Sequence, residues 1–564
     1  MPASGAERPA DFRGVFRTDE EARAVYAEAA GIGRALPLAV AVPADADDVS
    51  ALVRWAHATR TPLVPRGAGS SMAGGAIGPG VVVDLSALDA IGAVDRTART
   101  VRAGPGAVCA AVDGAARAHG LRFPVSPSSA AFCTLGGMAA TNAAGAATLR
   151  YGAMRRWVRA LDCVFDDGTR AEVRRGAPPP AAPAIDRFLA RAPALRAEEL
   201  AQPSSHEGVR KESSGYAIGE WAHADDLLDL LVGSEGTLAL FVELELALAP
   251  IPGATATVLG VFDSLDAAVA AAVTARARGA TACELLDRTF LEVAASGGAA
   301  GVPRDAEAVL LADAEGDDDA AATTLVREVA AAFRDAGARD TVIAADAGAA
   351  HDLWSLRHAV SPILSRLDPS VRSMQVIEDG AVPPERLAAY VRGVRAALSR
   401  QELRGVVFGH AGDAHVHVNP LVDVRLPDWR SRVEGLLDEV TALVASLGGT
   451  MAGEHGDGRL RAPLLDRCWS AAALDRFGRV KSAFDPLAIL NPGTKLPVDG
   501  QRALGDIKYD PALPPLPAAA RRALDRVERE RAYARPRLAL LDAARAQEGG
   551  VDAGIAAAQP APAD

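Results

Sequence analysis

The stretch Pro65-Arg-Gly-Ala-Gly-Ser-Ser-Met-Ala-Gly-Gly-Ala76 lies between two short apolar runs, Pro62 to Val64 and Val81 to Leu85, which predict β-strands. Its glycines can adopt positive φ angles and bring the backbone close to a ligand, and successive free N–H groups form a concave anion site. Ser70 and Ser71 add hydroxyl donors. The spacing differs from Gly-x-Gly-x-x-Gly and from a Walker loop. The stretch therefore indicates a cradle for phosphate or pyrophosphate, with an ordinary glycine-rich connection between strands as the alternative.

Length and composition narrow the class of protein. The 564 residues are enough for two to four domains. Four lysines stand against 56 arginines, a bias that makes a single arginine a weak indicator of function. The net charge of −12 argues against a nucleic-acid partner. Five scattered cysteines without a Cys-x-x-Cys pair predict neither an iron–sulfur cluster nor a structural zinc site.

The chain shows no targeting or membrane signal. Residues Met1 to Ala10 are polar, and no apolar run reaches the ~20 residues that a membrane span needs. We therefore expect a cytoplasmic protein without a transmembrane segment, with peripheral attachment to a membrane left open.

Apolar periodicity predicts an α+β protein. In the first half we expect a helical lead-in over 1–35, with interleaved charges at 17–30. We expect strands at 38–42, 62–65, 81–85, 100–103, 161–165, 169–173 and 241–247, and helices at 46–59 and 110–118. From residue 256 strands alternate with amphipathic helices, with strands expected at 257–262, 282–287, 307–312, 373–378, 405–409 and 414–421, and helices at 264–278, 318–336, 384–399 and 427–447. This second half predicts an antiparallel sheet covered by helices. Beyond Asp499 we expect one surface helix, 517–546, and a disordered end.

A second unusual stretch runs from Phe123 to Gly152. Roughly thirty residues rich in Gly, Ser and Ala show no clear period there and would form a poor core. Such a segment suits a backbone wrapped round a flat ligand.

Histidines concentrate in two short motifs, Gly409-His-Ala-Gly-Asp-Ala-His-Val-His-Val-Asn419 and Gly453-Glu-His-Gly-Asp-Gly458. Because alternate side chains of a strand share a face, His415, His417 and Asn419 should point the same way, and His410 could fold back to join them. Two imidazoles with a Glu454 carboxylate suit Zn²⁺ or Mn²⁺ with positions left open for substrate. A histidine cluster on the surface without metal is the alternative.

Taken together, these segments resemble the FAD-linked oxidoreductases of the vanillyl-alcohol oxidase (PCMH) superfamily, in the branch of D-lactate, glycolate and D-2-hydroxyglutarate dehydrogenases. The motifs occur in order over residues 35–497. The resemblance implies a two-subdomain PCMH-type FAD-binding domain and an α+β cap with a ferredoxin-like antiparallel sheet. The implied boundaries are a lead-in at 1–35, the FAD-binding domain at 36–252, the cap at 253–450, a segment returning to the flavin at 451–498, and a tail at 499–564.

The resemblance also implies roles for individual residues. The expected FAD-binding residues are Arg66, Gly67, Ala68, Gly69, Ser70, Ser71, Gly74, Pro127, Ser128, Ser129, Thr134, Gly136, Gly137, Asn142, Gly145, Glu235, Gly236, Thr237 and Asn491. The positions that match the family's metal ligands are His410, His417 and Glu454, its catalytic base is His455, and its substrate-orienting groups are Arg357, Ser361 and Asn419. The implied reaction is metal-assisted hydride transfer from a D-2-hydroxy acid to flavin N5.

Two departures from the family pattern bear on chemistry. His415 stands where Asn is usual, which could alter the metal geometry or add a polar contact. Ile377 precedes Glu378-Asp379 where D-2-hydroxyglutarate enzymes of the mitochondrial type carry a lysine, so a monocarboxylate such as D-lactate or glycolate is favoured over a diacid.

The motifs Ser213-Ser-Gly-Tyr216 and Gly453 to Arg459 look closest to long bacterial relatives that carry an added iron–sulfur half. No such half follows here, so we expect electrons to leave to a separate iron–sulfur subunit or another carrier, and we expect a homodimer. A non-redox flavin transferase of the alkylglycerone-phosphate synthase kind and a D-2-hydroxyglutarate dehydrogenase stay open as alternatives. So does a non-enzymatic module with an inert histidine cluster.

Overall fold

The computed structural model describes residues 7–298, 301–364 and 370–556. The first sheet has the strand order β1-β2-β4-β3, with β2, β3 and β4 parallel and β1 antiparallel to β2. The Asp45 carboxylate caps the helix predicted at 46–59 by accepting from the Asp48 amide. The elements are β1 (Val15–Arg17), α1 (Glu20–Val25), β2 (Ala39–Val42), α2 (Ala46–Thr59), β3 (Leu63–Arg66) and β4 (Val81–Asp84).

The second sheet is antiparallel with the order β5-β9-β7-β8, and a two-stranded pair β10-β6 lies apart from it. A hairpin at Asp166-Asp-Gly168 joins β7 and β8, which correspond to the strands predicted at 161–165 and 169–173. Its elements are β5 (Thr100–Ala103), α3 (Cys109–Arg117), β6 (Leu121–Arg122), α4 (Leu135–Thr141), α5 (Thr148–Tyr151), β7 (Val158–Val164), β8 (Arg170–Arg174), α6 (Pro183–Leu189), α7 (Ala192–Ala201), α8 (Ile218–Ala224), α9 (Leu227–Leu231), β9 (Leu240–Ala247) and β10 (Ala249–Pro250).

The cap is a third sheet with the order β14-β11-β13-β12-β17-β18-β15, in which every pairing is antiparallel and β16 pairs with β18. Because strand side chains alternate, Val258 packs against α10 and α12 while Leu259 faces α11 and α13. Its elements are β11 (Ala254–Phe262), α10 (Leu265–Ala277), β12 (Ala282–Asp287), α11 (Arg288–Ser296), β13 (Ala308–Gly316), α12 (Asp319–Asp335), β14 (Asp340–Ile343), α13 (Ala347–Leu364), β15 (Val371–Ser373), β16 (Gly380–Ala381), α14 (Leu387–Arg400), β17 (Arg404–Gly409), β18 (His415–Asp423) and α15 (Trp429–Ser446).

The chain after the cap returns to the first domain, where Leu490 forms a parallel bridge with Leu63 at the end of the first sheet. Helix α18 packs against α6 through Phe484 and Phe188, whose rings lie 5.2 Å apart. These elements are α16 (Gly458–Arg461), α17 (Leu465–Cys468), α18 (Ala471–Phe484), α19 (Ala518–Glu530) and α20 (Arg537–Ala556).

Three local predictions are wrong. Among the described residues of the lead-in expected to be helical over 1–35, only the six-residue α1 is an α-helix; β1 precedes it, because β1 pairs with β2 and draws the chain into the sheet. The expected strand at 373–378 ends at Ser373. The tail forms two packed helices instead of one surface helix, because Arg531 takes a left-handed conformation with φ 54° and ends α19. Of the end expected to be disordered, residues 547–556 belong to α20, and residues 557–564 lie outside the described residues.

Candidate active site

The glycine-rich stretch lines a continuous cavity of about 580 Å³ between the first domain and the cap. Behind the loop the buried Arg66 guanidinium donates to the carbonyl oxygens of Tyr26, Glu28 and Ala76. Gly69 has a φ of +71°, and a Cβ there would lie 2.3 Å from the Arg66 guanidinium. Only glycine therefore fits this position, and the loop backbone is held open toward the cavity.

Two buried hydroxyls in this cavity fit an anionic ligand. Ser71 Oγ and Thr134 Oγ1 have no hydrogen-bond partner in the described part of the chain. Since buried polar groups are normally paired, these hydroxyls are available to phosphate oxygens. Fifteen of the predicted FAD-binding residues line the cavity, namely Arg66, Gly67, Ala68, Gly69, Ser70, Ser71, Pro127, Ser128, Ser129, Thr134, Gly136, Gly137, Gly145, Glu235 and Gly236.

The remaining four predicted residues, Gly74, Asn142, Thr237 and Asn491, are not among the residues that line the cavity. The amide of Asn491 donates to the carbonyl oxygens of Gly75 and Glu235. Asn142 accepts from the Arg155 amide, and Thr237 donates to the Ser234 carbonyl. These side chains brace the loops that form the cavity wall.

At the cap end of the cavity the Glu454 carboxylate faces three imidazoles. Its Oε1 lies 3.2 Å from His410 Nε2, 3.4 Å from His417 Nε2 and 3.6 Å from His455 Nε2. Its other oxygen accepts from Lys211 Nζ at 2.9 Å. Burial raises the pKa of Glu454, but the Lys211 ammonium and the His410 ring outweigh it and hold that pKa well below its usual range.

The opposite ring nitrogens of two histidines are already engaged. His410 Nδ1 donates to the buried Glu284 carboxylate, and His417 Nδ1 donates to the Glu378 carbonyl oxygen at 2.8 Å. Each Nε2 is therefore directed at Glu454 Oε1, and the neutral form of such a ring offers its lone pair there, which is the arrangement of histidines that bind a metal. One ligand atom each from His410, His415, His417 and Glu454 lies within 4.8 Å of the others, so this donor set fits a borderline dication.

His415, the departure from the family pattern, is fully buried. Its Nε2 donates to Asp379 at 2.8 Å, while its Nδ1 has no hydrogen-bond partner among the described residues. Burial lowers the pKa of His415 to about 4, so its ring is neutral at pH 7 and carries a free lone pair.

His455 is set apart from the other histidines by its partner. Its Nδ1 donates to Glu378 Oε2 at 2.6 Å, which leaves Nε2 directed at the cavity. Burial lowers the pKa of His455, but the Glu378 and Asp379 carboxylates raise it by more, so that the pKa is about 10. Arg461, buried behind them, pairs with both carboxylates.

The predicted substrate-orienting groups lie near this cluster. Arg357 on α13 donates to Glu284 Oε2 at 2.7 Å, and its guanidinium lies 4.7 Å from the Phe408 ring centre. Arg357 and Asn419 both line the cavity. Ser361 falls one turn further along α13, and its side chain lies outside the described residues.

Several residues of the site are not predicted by the sequence. Lys211, Glu284 and Glu378 hold the Glu454, His410 and His455 side chains, and the tail residues Glu528, Arg531 and Tyr533 line the cavity. The rarity of lysine could have singled out Lys211. For the tail residues the sequence carried no usable signal, because an Arg- and Ala-rich helix is common throughout this chain.

Comparison with known proteins agrees with this division. The FAD binding domain model matches residues 37–174, and the C-terminal domain model of the FAD linked oxidases matches residues 251–494. D-lactate dehydrogenase of Archaeoglobus fulgidus is 30% identical over 461 residues, which are 80% of this chain and 90% of that protein. The chain belongs to the FAD-linked oxidases. The predicted family is thereby confirmed, and with it FAD as the cofactor.

Other relatives of this FAD-linked oxidase carry related names. Glycolate oxidase subunit GlcD of Bacillus subtilis is 29% identical over 86% of this chain and 95% of that protein. D-2-hydroxyglutarate dehydrogenase of Xanthomonas citri pv. viticola is 30% identical over 81% of this chain and 89% of that protein.

A solved structure of alkyldihydroxyacetonephosphate synthase superposes with a TM-score of 0.59 at 16% identity, over 85% of this chain and 83% of that one. At this identity the likeness shows the fold, and the predicted PCMH-type architecture is confirmed. Across the described ranges no helix combines the length and apolar character that crossing a bilayer requires.

Proposed function

We propose that this FAD-linked oxidase oxidises a D-2-hydroxy acid of the D-lactate or glycolate kind to the 2-oxo acid. The observation that carries the proposal is that one cavity holds both the glycine-rich stretch 65–76, which we call the phosphate loop, and the cluster of Glu454, His410, His417 and His455. Relatives named glycolate oxidase subunit, D-lactate dehydrogenase and D-2-hydroxyglutarate dehydrogenase support this reaction class. Bound FAD would supply a hydride acceptor at N5 for the C2 hydrogen of the substrate.

In this proposal the neutral form of His455 accepts the proton of the substrate hydroxyl at Nε2. A dication bound at the neighbouring cluster would favour that form by lowering the pKa from about 10. The hydrogen bond to Glu378 fixes the ring orientation and stabilises the imidazolium that forms. The substrate thus loses a hydride from C2 and a proton from oxygen, which together convert the alcohol to a ketone or aldehyde.

His410, His417 and Glu454 would hold a Zn²⁺ or Mn²⁺ ion, with His415 beside them. A dication there would act as a Lewis acid on the substrate oxygens. Glu284 and Lys211 fix His410 and Glu454 so that the ligand atoms converge before any ion binds.

The substrate carboxylate would meet Arg357 and Asn419. A guanidinium is suited to paired hydrogen bonds with a carboxylate, and Glu284 and Phe408 fix its orientation. Trp354, Gln375 and Phe408 also line this part of the cavity.

A monocarboxylate fits these surroundings better than a diacid. Ile377, at the position of the lysine in the mitochondrial-type enzymes, is fully buried in the apolar core of the cap. A second carboxylate would therefore lack the cation that the mitochondrial-type enzymes supply there.

We also propose that electrons pass to a separate carrier. The relative GlcD is named as a subunit of glycolate oxidase, which favours a partner protein as acceptor. A homodimer and a location in the cytoplasm stay predictions of the sequence, to be tested by light scattering and cell fractionation.

The test is anaerobic mixing of the purified holoprotein with D-lactate, glycolate, D-2-hydroxyglutarate and the L-isomers, with and without chelator. We expect one short D-acid or glycolate to bleach the flavin absorbance rapidly, and chelator to slow this reaction. If D-2-hydroxyglutarate alone bleached the flavin, the substrate would be a diacid and not a monocarboxylate. A flavin that no 2-hydroxy acid reduces would contradict the proposal and favour a non-redox flavin enzyme.

A further inference from the structure

The two tail helices complete the core of the first domain. The strands β2, β3 and β4 carry Val40, Val64 and Val82 on one face, and this face packs against α1, α19 and α20. The opposite face packs against α2. The tail is therefore one layer of a helix–sheet–helix sandwich, although it lies beyond residue 494, where the matched family region ends.

The connection between these helices, residues 531–536, reaches the cavity; we call it the tail turn. Arg531 and Tyr533 line the cavity together with Gly69 and Ser70 of the phosphate loop. The Tyr533 ring lies 5.1 Å from the Phe132 ring, and the Arg531 guanidinium lies 4.9 Å from the same ring. The tail turn and the first domain thus form a continuous cavity wall, in which they contact each other through Phe132.

The tail turn is fixed to the phosphate loop itself. Arg537, which follows the turn and is only 3% exposed, donates from Nη2 to the Ala68 carbonyl oxygen at 3.0 Å. Lys508 adds a second connection between the tail and the first domain, since its ammonium donates to the Ala29 carbonyl oxygen and to the Glu528 carboxylate at the end of α19. The position of the turn is therefore set by buried contacts on both sides of it.

The charges at this end of the cavity suit an anionic ligand. Arg66 and Arg537 are both buried behind the loop, and burial together with the Arg66 charge lowers the pKa of Arg537 to about 10. Arg531 brings a third guanidinium to the cavity wall. Asp84, whose charge favours both buried guanidiniums, and Glu528, which lines the cavity, balance part of this positive charge, and a pyrophosphate at the loop would offset the rest.

We infer that the tail turn is part of the FAD site, where Arg531 and Tyr533 slow the release of the cofactor. This inference rests on the proposed function, in which FAD fills the cavity. It assigns to a segment outside the matched family regions a binding role that the glycine-rich loop alone does not fulfil.

The experiment measures FAD release from the full-length holoprotein. Arg531→Asn, Tyr533→Ala and the double variant are diluted, and the rise of free-flavin fluorescence gives the release rate. Asn is chosen at 531 because it tolerates the left-handed conformation that this residue adopts. From the loss of a cation–π and an aromatic contact we expect about tenfold faster release in the double variant.

Arg526→Ala is the matched control, because Arg526 lies on the same helix and pairs with Glu530 on the exposed surface. It should release FAD at the wild-type rate, and Tyr533→Phe, which keeps the ring, should do the same. Melting temperatures identify any variant whose fold is damaged, and the single substitutions then replace the double one. Release from folded variants within about twofold of wild type would overturn the inference, whereas a wild-type protein that never binds FAD would overturn the proposed function instead.

Discussion

His455 Nδ1 and Glu378 Oε2, 77 positions apart in the chain, lie 2.6 Å from each other. This hydrogen bond fixes which imidazole nitrogen faces the cavity. His455→Ala should slow flavin reduction by the 2-hydroxy acid ~10²- to 10⁴-fold, the usual contribution of a general base. Stopped-flow absorbance measures the rate, and bound FAD should stay at the wild-type level. A reduction rate equal to wild type would remove His455 from the mechanism.

Glu378→Gln tests the orienting role of the carboxylate. The amide can still contact His455 but carries no charge to stabilise an imidazolium, so we expect flavin reduction to slow by about 10- to 100-fold with KM little changed. Asp379 remains to pair with Arg461, so the buried guanidinium keeps a partner. FAD content and melting temperature serve as controls, and a change in KM alone would contradict the assignment.

Glu454→Gln tests the metal site. Loss of the charged ligand should reduce the metal bound per protein by about tenfold or more, as measured by plasma mass spectrometry after dialysis. Chelator should slow flavin reduction in wild type and have little further effect on the variant. Wild-type protein that binds no dication at any tested concentration would show that the cluster acts without metal.

Gly69→Ala tests the phosphate loop. A Cβ there would collide with the Arg66 guanidinium at a φ of +71°, so the loop must shift and FAD affinity should fall at least about tenfold. Gly114→Ala in α3 is the control, since its Cβ would meet nothing within 4 Å. That variant should keep FAD and gain about 0.5–1 kcal/mol in unfolding free energy. Apoprotein titration with FAD distinguishes the two, and equal affinities would contradict the loop assignment.

Arg357→Lys tests recognition of the substrate carboxylate. A lysine retains the charge but loses the planar pair of donors, so kcat/KM should fall about 10- to 100-fold, mainly through KM. Arg404→Lys, on β17 with an exposed partner Glu292, is the control and should leave both constants unchanged. An unchanged KM in Arg357→Lys would place the carboxylate elsewhere in the cavity.

Local sequence determined much of the fold. The helix at Ala46–Thr59, the hairpin at Asp166-Asp-Gly168 and most strands of the cap follow from capping residues, turn residues and apolar periodicity within a short window. The glycine-rich loop was also recognisable, because positive φ angles and close backbone approach demand glycine itself. Residue type and spacing indicated two imidazoles with Glu454, and the family resemblance implied that these are His410 and His417.

Tertiary structure decided what these residues contact. Glu284, Glu378 and Lys211 come from three distant segments, and no short-range pattern shows that they hold the site's imidazoles and carboxylate. The sequence also could not show that the tail packs on the first sheet. The apolar residues of an Ala-rich helix indicate that one of its faces is buried, but not against which surface. The surface that covers that face is decided by long-range packing. Here the tail helices pack on the first sheet, and their connection brings Tyr533 to the cavity.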